Sequence, residues 1–97
     1  MYSYIFYPKA QAEFEQSFER YFEQSEISAV NFSETVDAAI MMICKNPYQW
    51  NICYKNFRQL RLKTFPFSII YFVDNDKELI VVYSIFYFKR NPKKKFK

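Results

Sequence analysis

The sequence predicts an α+β fold, β-α-α-β-β-β in order, in which a twisted, mainly antiparallel sheet carries a two-helix hairpin on one face. Two amphipathic helical patterns fill much of the first half of the chain, and strand-like patterns fill most of the second half. The 97 residues are 51% hydrophobic and 23% aromatic, which gives enough apolar surface for one core and too little for two. We therefore expect a single domain over residues 1–97, with a flexible basic tail over about 93–97.

The first strand and the first helix adjoin each other. Residues 2–7 are mostly aromatic and Pro8 ends them, so we expect a strand there. Pro8 can also occupy the first position of a helix. Between Lys9 and Gln24 apolar side chains recur every three or four residues, and glutamates fill much of the remaining surface, which predicts an amphipathic helix.

A second helix follows after very few residues. Ser25 or Ser28 can cap its N-terminus, and Asn46-Pro47 ends it. The short connection makes the two helices antiparallel neighbours. Residues 47–56 show no regular pattern and are expected to be irregular. The apolar stripe of the second helix, which should face the core, consists of Phe32, Val36, Ala39, Ile40, Ile43 and Cys44.

Three strands complete the predicted sheet. In residues 57–64 two leucines share one face, and polar side chains that include Arg61 and Lys63 share the other. Residues 67–73 and 79–88 are apolar on both faces, as central strands tend to be. A compact acidic turn between these two strands indicates a hairpin, which makes their pairing antiparallel.

The last strand raises the question of what covers the second face of the sheet. The helices can cover only one face, yet large apolar residues occupy both alternating sets of positions in this strand. We expect a partner chain, rather than residues 47–56, to cover the second set. Ile80, Val82, Phe86 and Phe88 form one set, with Ser84 under a helix, and Leu79, Val81, Tyr83, Ile85 and Tyr87 form the other.

Charge is distributed unevenly along the chain. Residues 1–40 contain seven of the ten acidic side chains but only Lys9 and Arg20 of the fourteen basic ones. The net charge of +4 therefore arises in the second half. A basic sheet half indicates a polyanionic partner, which can be RNA, DNA or an acidic protein. A solvated tail that only aids solubility explains residues 93–97 equally well.

Two residue types that the chain lacks exclude most classes of enzyme site. It has no Gly, which phosphate-binding loops need, and no His, which excludes Ser-His-Asp and Cys-His catalysis and a His-ligated zinc site. Cys44 and Cys53 cannot complete a metal cage, so we expect neither a metal nor another cofactor. Residues 1–7 lack a basic region before a long apolar run, and nowhere are 18 apolar residues consecutive. We expect a cytoplasmic protein that does not contact the membrane.

Three segments are most informative when they are taken together. The helix-ending Asn46-Pro47 is followed by Phe65-Pro66-Phe67-x-Ile69-x-Tyr71 and, near the end of the chain, by Ile85-Phe86-Tyr87-x-x-Arg90-Asn91-Pro92-Lys-Lys. In this order they resemble the RelE/ParE family of bacterial type II toxin–antitoxin toxins. The resemblance covers nearly the whole chain, and the joint order is more specific than any single motif.

The resemblance implies a growth-inhibiting toxin with two alternative activities on one fold. RelE-type toxins cleave mRNA in the ribosomal A site, with the 2′-hydroxyl as nucleophile, and ParE-type toxins poison DNA gyrase. We favour ribosome-dependent, metal-independent mRNA cleavage, with gyrase binding as the alternative. A degenerate toxin that only binds its antitoxin is the third interpretation.

For mRNA cleavage the predicted catalytic set is Arg61, Lys63, Tyr87 and Arg90. If these side chains converge, they can bind the scissile phosphate, stabilise developing charge and stack a base. Many family members carry His where this chain has Tyr87, and a phenol is a poor general base at neutral pH. The presence of Tyr87 in place of His therefore weakens the interpretation of this chain as a nuclease. The alternative roles are the polar side of a half-exposed strand for the basic residues and a core position for Tyr87.

A second set of residues is predicted to contact RNA or a partner protein. Arg58 is out of phase with Arg61, so we expect it on the opposite face. The expected partner is a small acidic antitoxin whose flexible tail folds onto the toxin, so that carboxylates meet basic side chains in a hetero-oligomer. The expected target is the ribosome with its mRNA, or DNA gyrase. The set comprises Arg58, Tyr71, Tyr83, Lys89, Lys93 and Lys94.

Overall fold

Two helices pack against one face of a five-stranded sheet in the computed structural model, which describes residues 1–89 and Phe96. The predicted α+β class, with a helical hairpin on a mainly antiparallel sheet, is confirmed. Arg90, the predicted tail before Phe96, and Lys97 lie outside the described residues. The elements are β1 (Ser3–Phe6), α1 (Pro8–Gln24), α2 (Glu26–Lys45), β2 (Ile52–Tyr54), β3 (Phe57–Arg61), β4 (Phe67–Asp74) and β5 (Leu79–Tyr87).

The strands lie in the order β1-β5-β4-β3-β2, and only β1 and β5 pair in parallel among the described strands. The expectation that residues 47–56 are irregular was wrong for β2, which pairs Ile52 with Arg58 and Tyr54 with Phe57. Three residues are too few to show an alternating pattern. The turn into β3 places Lys55 at a φ of 49°, a conformation that glycine would adopt more readily.

One serine connects the two helices. The Ser25 backbone N–H donates to the Tyr21 carbonyl at 2.8 Å and ends α1, while its Oγ accepts from the Ser28 backbone N–H at 3.4 Å and caps α2. Of the two capping residues that the sequence offered, Ser25 is therefore the one used. Pro8 stands at the start of α1, as predicted, because the first turn needs no N–H donor there.

The core lies between α2 and the sheet. Phe32 is fully buried, and its ring centre is 5.6 Å from that of Phe14 and 5.1 Å from that of Phe67. By length and composition alone α2 could cross a membrane, but much of its apolar surface packs inside this core. The predicted stripe is confirmed, since its buried residues are Ala29, Phe32, Val36, Ala39, Ile40, Ile43 and Cys44.

A β-bulge in β5 changes which of its side chains face the helices. Tyr71 pairs with Val82, but the preceding Ile70 pairs with Ser84, so Tyr83 has no opposite residue on β4. Beyond the bulge, Ile85 and Tyr87 pair with Ile69 and Phe67 and share their helix-facing side. The predicted alternation through the whole strand was therefore wrong from residue 85 onward. Phe86 and Phe88, assigned to the helix side, lie on the far face.

A carboxylate from α1 holds this bulge. Glu13 Oε1 accepts a hydrogen bond from Ser84 Oγ at 2.7 Å and another from the Ile85 backbone N–H at 3.0 Å. Ser84 is fully buried, so its position under a helix is confirmed. The backbone N–H that a bulge takes out of regular pairing thus receives an acceptor from the neighbouring helix.

The far face of the sheet is covered by aromatic side chains of the same chain. Ile70 and Phe86 are 0% and 2% exposed there. The Phe96 ring lies 4.6 Å from that of Tyr54 and 5.0 Å from that of Phe57, centre to centre. The expectation that this face stays open for a second chain was wrong, because aromatic residues on β2, on β3 and near the end of the chain fold over it.

Substitution of Glu13 by Ala should lower the free energy of unfolding by about 2 kcal/mol, because the Ile85 N–H and Ser84 hydroxyl lose their acceptor. Urea denaturation measures the change. Glu19→Ala, an exposed position on the same helix, should stay within about 0.5 kcal/mol of the parent. Equal losses in the two variants would contradict a specific role for Glu13.

Tyr71→Phe should reveal a buried phenol that resists ionisation. Tyr71 Oη donates to the Pro47 carbonyl at 2.5 Å, and burial raises the pKa of Tyr71 to about 12. Between about pH 10 and that value the unfolded chain releases a proton that the folded chain retains, so stability falls as pH rises. The phenylalanine variant lacks this group, and its disadvantage of about 1 kcal/mol at neutral pH should shrink in alkali.

Urea unfolding of both proteins at about pH 7 and about pH 11 measures this difference. Tyr4→Phe serves as the control, since Tyr4 is 43% exposed. A gap between parent and Tyr71→Phe that is the same at both pH values would contradict the prediction.

Candidate functional site

Two of the predicted catalytic residues line a groove between α2 and β3. This α2–β3 groove has a volume of about 740 Å³, and both Arg61 and Lys63 contribute to it. Lys63 is exposed, and Leu62 between them is buried in the core. The remaining lining is largely apolar and includes Ala38, Ala39, Met42, Trp50, Leu60 and Phe65, with Glu34 as its acidic member.

Arg61 is held in place by an aromatic ring. It pairs with Ser68 on β4, and its guanidinium carbon lies 3.7 Å from the centre of the Phe88 ring on the far face. Such stacking leaves the edges of the planar guanidinium able to donate to an anion. Arg61 is exposed, so it can offer these donors to a partner.

Tyr87 lies in a different place, in a smaller cavity between α1 and the end of β5. This α1–β5 cavity has a volume of about 200 Å³, and the Tyr87 ring is 5.4 Å from that of Phe67, centre to centre. Burial, with a smaller effect of Tyr87, raises the pKa of the neighbouring Tyr21 phenol. The other polar lining residues are Glu13, Gln16, Ser17, Arg20 and Gln24.

The predicted catalytic set is thus divided between the two cavities. The Leu62 N–H donates to the Phe67 carbonyl, and Phe67 in turn pairs with Tyr87. Leu62 lines only the α2–β3 groove and Phe67 only the α1–β5 cavity. Arg90 lies outside the described residues. The assignment of these four residues to catalysis therefore stays a prediction.

Two residues predicted to bind RNA or a partner make contacts within the fold, and their binding role stays a prediction. Tyr71 is 0% exposed, because its position on β4 places it in the core. Its hydroxyl donates a hydrogen bond to the Pro47 carbonyl. Arg58 lies on the face opposite to Arg61, as expected from its phase, and donates to the Trp50 carbonyl at 2.8 Å. It fastens the segment before β2 to the sheet.

Tyr83 and Lys89 remain available for contacts. Lys89 is exposed at the end of β5, and Tyr83 is half-buried on the far face. The Tyr83 ring centre is 4.8 Å from that of Phe57 and 5.3 Å from that of Tyr7. Lys93 and Lys94, predicted in the same set, lie outside the described residues.

The sequence reasoning missed three residues of the far face. Tyr7, Tyr54 and Phe96 join Tyr83 there, and the first two are 48% and 46% exposed. An exposed tyrosine at the end of a strand carries no signal that separates it from a core aromatic. In residues 1–89 and Phe96, no three acidic or cysteine side chains cluster in a way that could hold a metal ion.

Comparison with known proteins shows which family this chain resembles. Residues 4–92 match the model of the ParE toxin of the type II toxin–antitoxin system parDE. No curated protein sequence matches the chain.

Solved structures of low sequence identity share the fold. The chromosomal ParDE toxin–antitoxin system of P. aeruginosa aligns with a TM-score of 0.76 and 19% identity, over 90% of this chain and 96% of that one. The intact E. coli RelBE complex aligns with a TM-score of 0.62 and 12% identity, over 89% of this chain and 95% of that one. The isolated E. coli RelE toxin aligns with a TM-score of 0.63 and 12% identity, over 98% of this chain and 93% of that one. The match to the ParE toxin covers most of the chain, and the chain therefore belongs to the RelE/ParE family of type II toxin–antitoxin toxins.

Proposed function

We propose that this toxin inhibits growth by binding DNA gyrase and does not cleave mRNA. The separation of Tyr87 from Arg61 and Lys63 is the observation that carries the proposal. Metal-independent cleavage of RNA needs cations and a proton donor or acceptor within reach of one phosphate. Here Lys63 lines the α2–β3 groove, the Arg61 guanidinium lies over Phe88 on the far face, and the phenol lines the α1–β5 cavity.

The family match supports the same choice, because residues 4–92 fit the ParE toxin. A toxin that acts by adhesion needs only an exposed surface, and no catalytic set. The turn between α1 and α2 offers one, since Phe22, Ile27 and Val30 are 52%, 73% and 44% exposed. Exposed apolar side chains that lie close together are typical of a protein-binding surface. We assign the gyrase contact to this surface.

mRNA cleavage is the second candidate, because Arg61 and Lys63 do share one groove. Two cell-free assays with the purified chain separate the candidates. One follows supercoiling by gyrase, and the other maps new 5′ ends on translating mRNA. We expect inhibited gyrase and no new 5′ ends. New 5′ ends with normal gyrase activity would overturn the proposal in favour of cleavage, and no effect in either assay would leave a chain that only binds its antitoxin.

Paired variants make this test specific. Ile27→Ser with Val30→Ser should weaken gyrase inhibition about tenfold or more, because two apolar contacts are lost. Met41→Ser, at the other end of α2 and 43% exposed, is the matched control. Tyr87→Phe should leave gyrase inhibition unchanged, whereas a nuclease that used this phenol would lose activity by a large factor.

We also propose that a small acidic antitoxin binds the α2–β3 groove. The solved ParDE and RelBE systems are toxin–antitoxin pairs, and the groove combines an apolar floor with Lys63 and borders Arg61, whose guanidinium lies over Phe88 on the far face. Apolar side chains of the antitoxin would lie on Met42 and Trp50, while its carboxylates would pair with Arg61 and Lys63.

Arg61→Glu with Lys63→Glu should weaken antitoxin binding by about a hundredfold, since both ion pairs become repulsive. Isothermal titration calorimetry with the antitoxin encoded beside the toxin measures the change. Lys45→Glu, an exposed charge reversal at the end of α2, is the control. An unchanged dissociation constant for the double variant would place the antitoxin elsewhere.

A further inference from the structure

A methionine supplies the most exposed large apolar side chain of the α2–β3 groove. Met42 is 50% exposed, whereas Leu60 and Leu62, which also line the groove, are 6% exposed each. Trp50 and Phe65 are half-buried. A partner that fills the groove therefore contacts the Met42 thioether. The other groove-lining side chains of α2 are small or polar, namely Asn31, Glu34, Thr35, Ala38 and Ala39.

The other sulfur atoms do not line this groove. The chain has three methionines and two cysteines, all of them in the part that the structure describes. Met41 is 43% exposed but points away from the groove, because adjacent residues of a helix diverge by about 100°. Cys44 is buried, and burial raises the pKa of its thiol. Met1 is exposed near the chain start, and Cys53 is half-buried on β2.

We propose that Met42 is an oxidation-sensitive site, at which conversion of the thioether to a sulfoxide by a peroxide weakens neutralisation by the antitoxin. The inference rests on the proposed binding of the antitoxin in the α2–β3 groove. The sulfur lone pair attacks one oxygen of hydrogen peroxide, so that an S–O bond forms and the O–O bond breaks. The sulfur loses two electrons, and the proton of the transferred oxygen joins the departing hydroxide to give water.

A sulfoxide puts a hydrogen-bond acceptor where the groove offers an apolar contact. The helix has no donor nearby for it, because Thr35 donates its hydroxyl to the Asn31 carbonyl at 2.7 Å and Glu34 is an acceptor. The Asn31 side chain is about 16 Å away along the helix axis. Lys63 can donate instead, but its charge is then withdrawn from the antitoxin. Either arrangement disfavours apolar antitoxin side chains on Met42.

Antitoxin binding and oxidation oppose each other at this site. A bound antitoxin covers Met42, so the peroxide reaches the sulfur in the free toxin. Oxidation then hinders the binding of newly made antitoxin, and the toxin stays active until the sulfoxide is reduced. Methionine sulfoxide reductases reverse the change with a dithiol, which becomes a disulfide while the oxygen leaves as water.

Oxidation of the purified toxin by hydrogen peroxide, followed by calorimetric titration with the antitoxin encoded beside it, tests the proposal. Dithiothreitol added after the peroxide restores oxidised thiols but leaves the sulfoxide. We expect the dissociation constant of the parent to rise about tenfold or more. That of Met42→Leu should not change, because leucine keeps the apolar contact without a sulfur. Methionine sulfoxide reductases for both epimers should restore the affinity of the parent.

Met41→Leu is the matched control, because it removes the neighbouring exposed sulfur and keeps Met42. This variant should lose affinity on oxidation as the parent does. In its tryptic peptide over residues 21–45, Met42 is the single methionine, so mass spectrometry follows its oxidation directly. We expect one added oxygen in the free toxin and much slower addition when the antitoxin is in excess.

Met42→Gln provides a second route that needs no oxidant. Glutamine has a polar group at a similar length, so this variant should bind the antitoxin about as weakly as the oxidised parent does. Thermal unfolding of the oxidised parent and of both Met42 variants accompanies the titrations. An unchanged dissociation constant after complete oxidation of Met42 would overturn the proposal. An equal loss of affinity in oxidised Met42→Leu would also overturn it, because another residue would then be responsible.

The variant Arg61→Glu with Lys63→Glu separates this inference from the proposed antitoxin site. If it binds normally while oxidation of Met42 weakens binding, the proposed ion pairs are wrong and the oxidation-sensitive contact is supported. If the charge reversal weakens binding and oxidation does not, the groove holds the antitoxin and the role of Met42 is wrong. If neither change affects the affinity, both proposals are overturned.

Discussion

The hydrogen bonds from Ser84 and Ile85 to the Glu13 carboxylate fix the β-bulge on which the arrangement of this protein depends. A bulge offsets the side chains that follow it, since the faces of a strand alternate with a period of two. Ile85 and Tyr87 consequently join the helix-facing layer, and Phe86 and Phe88 move to the far face. One interaction between α1 and β5 therefore decides which side chains each layer of the fold receives.

The bulge also explains why the basic residues and the phenol do not meet. Tyr87 is turned toward α1 and packs beside Phe67 in the α1–β5 cavity. Arg61 pairs in regular register with Ser68 on β4 and packs against Phe88 on the far face. The same displacement that removes Tyr87 from the cations supplies Arg61 with its aromatic support. This geometry is the physical reason to prefer an adhesive toxin to a nuclease.

The far face shows how a small chain with many aromatic residues can cover a sheet with helices on one side only. Tyr54, Phe57 and Phe96 pack against one another on this face, and Phe57 also packs against Phe72. Each aromatic side chain buries a large surface area while it has few rotatable bonds, so a few such residues can cover one face of a sheet.

Local patterns in the sequence determined the class of fold, both helices, the capping of α2 by one of two serines, and the face of Arg58. Each depends on a period or on a preference that neighbouring residues express by themselves. Only the tertiary structure decided the faces of Tyr87 and Phe88, the burial of Tyr71, and the strand at Ile52–Tyr54. A bulge held by a carboxylate about seventy residues away, and a ring that folds back from position 96, are contacts between distant parts of the chain, and no local pattern encodes them.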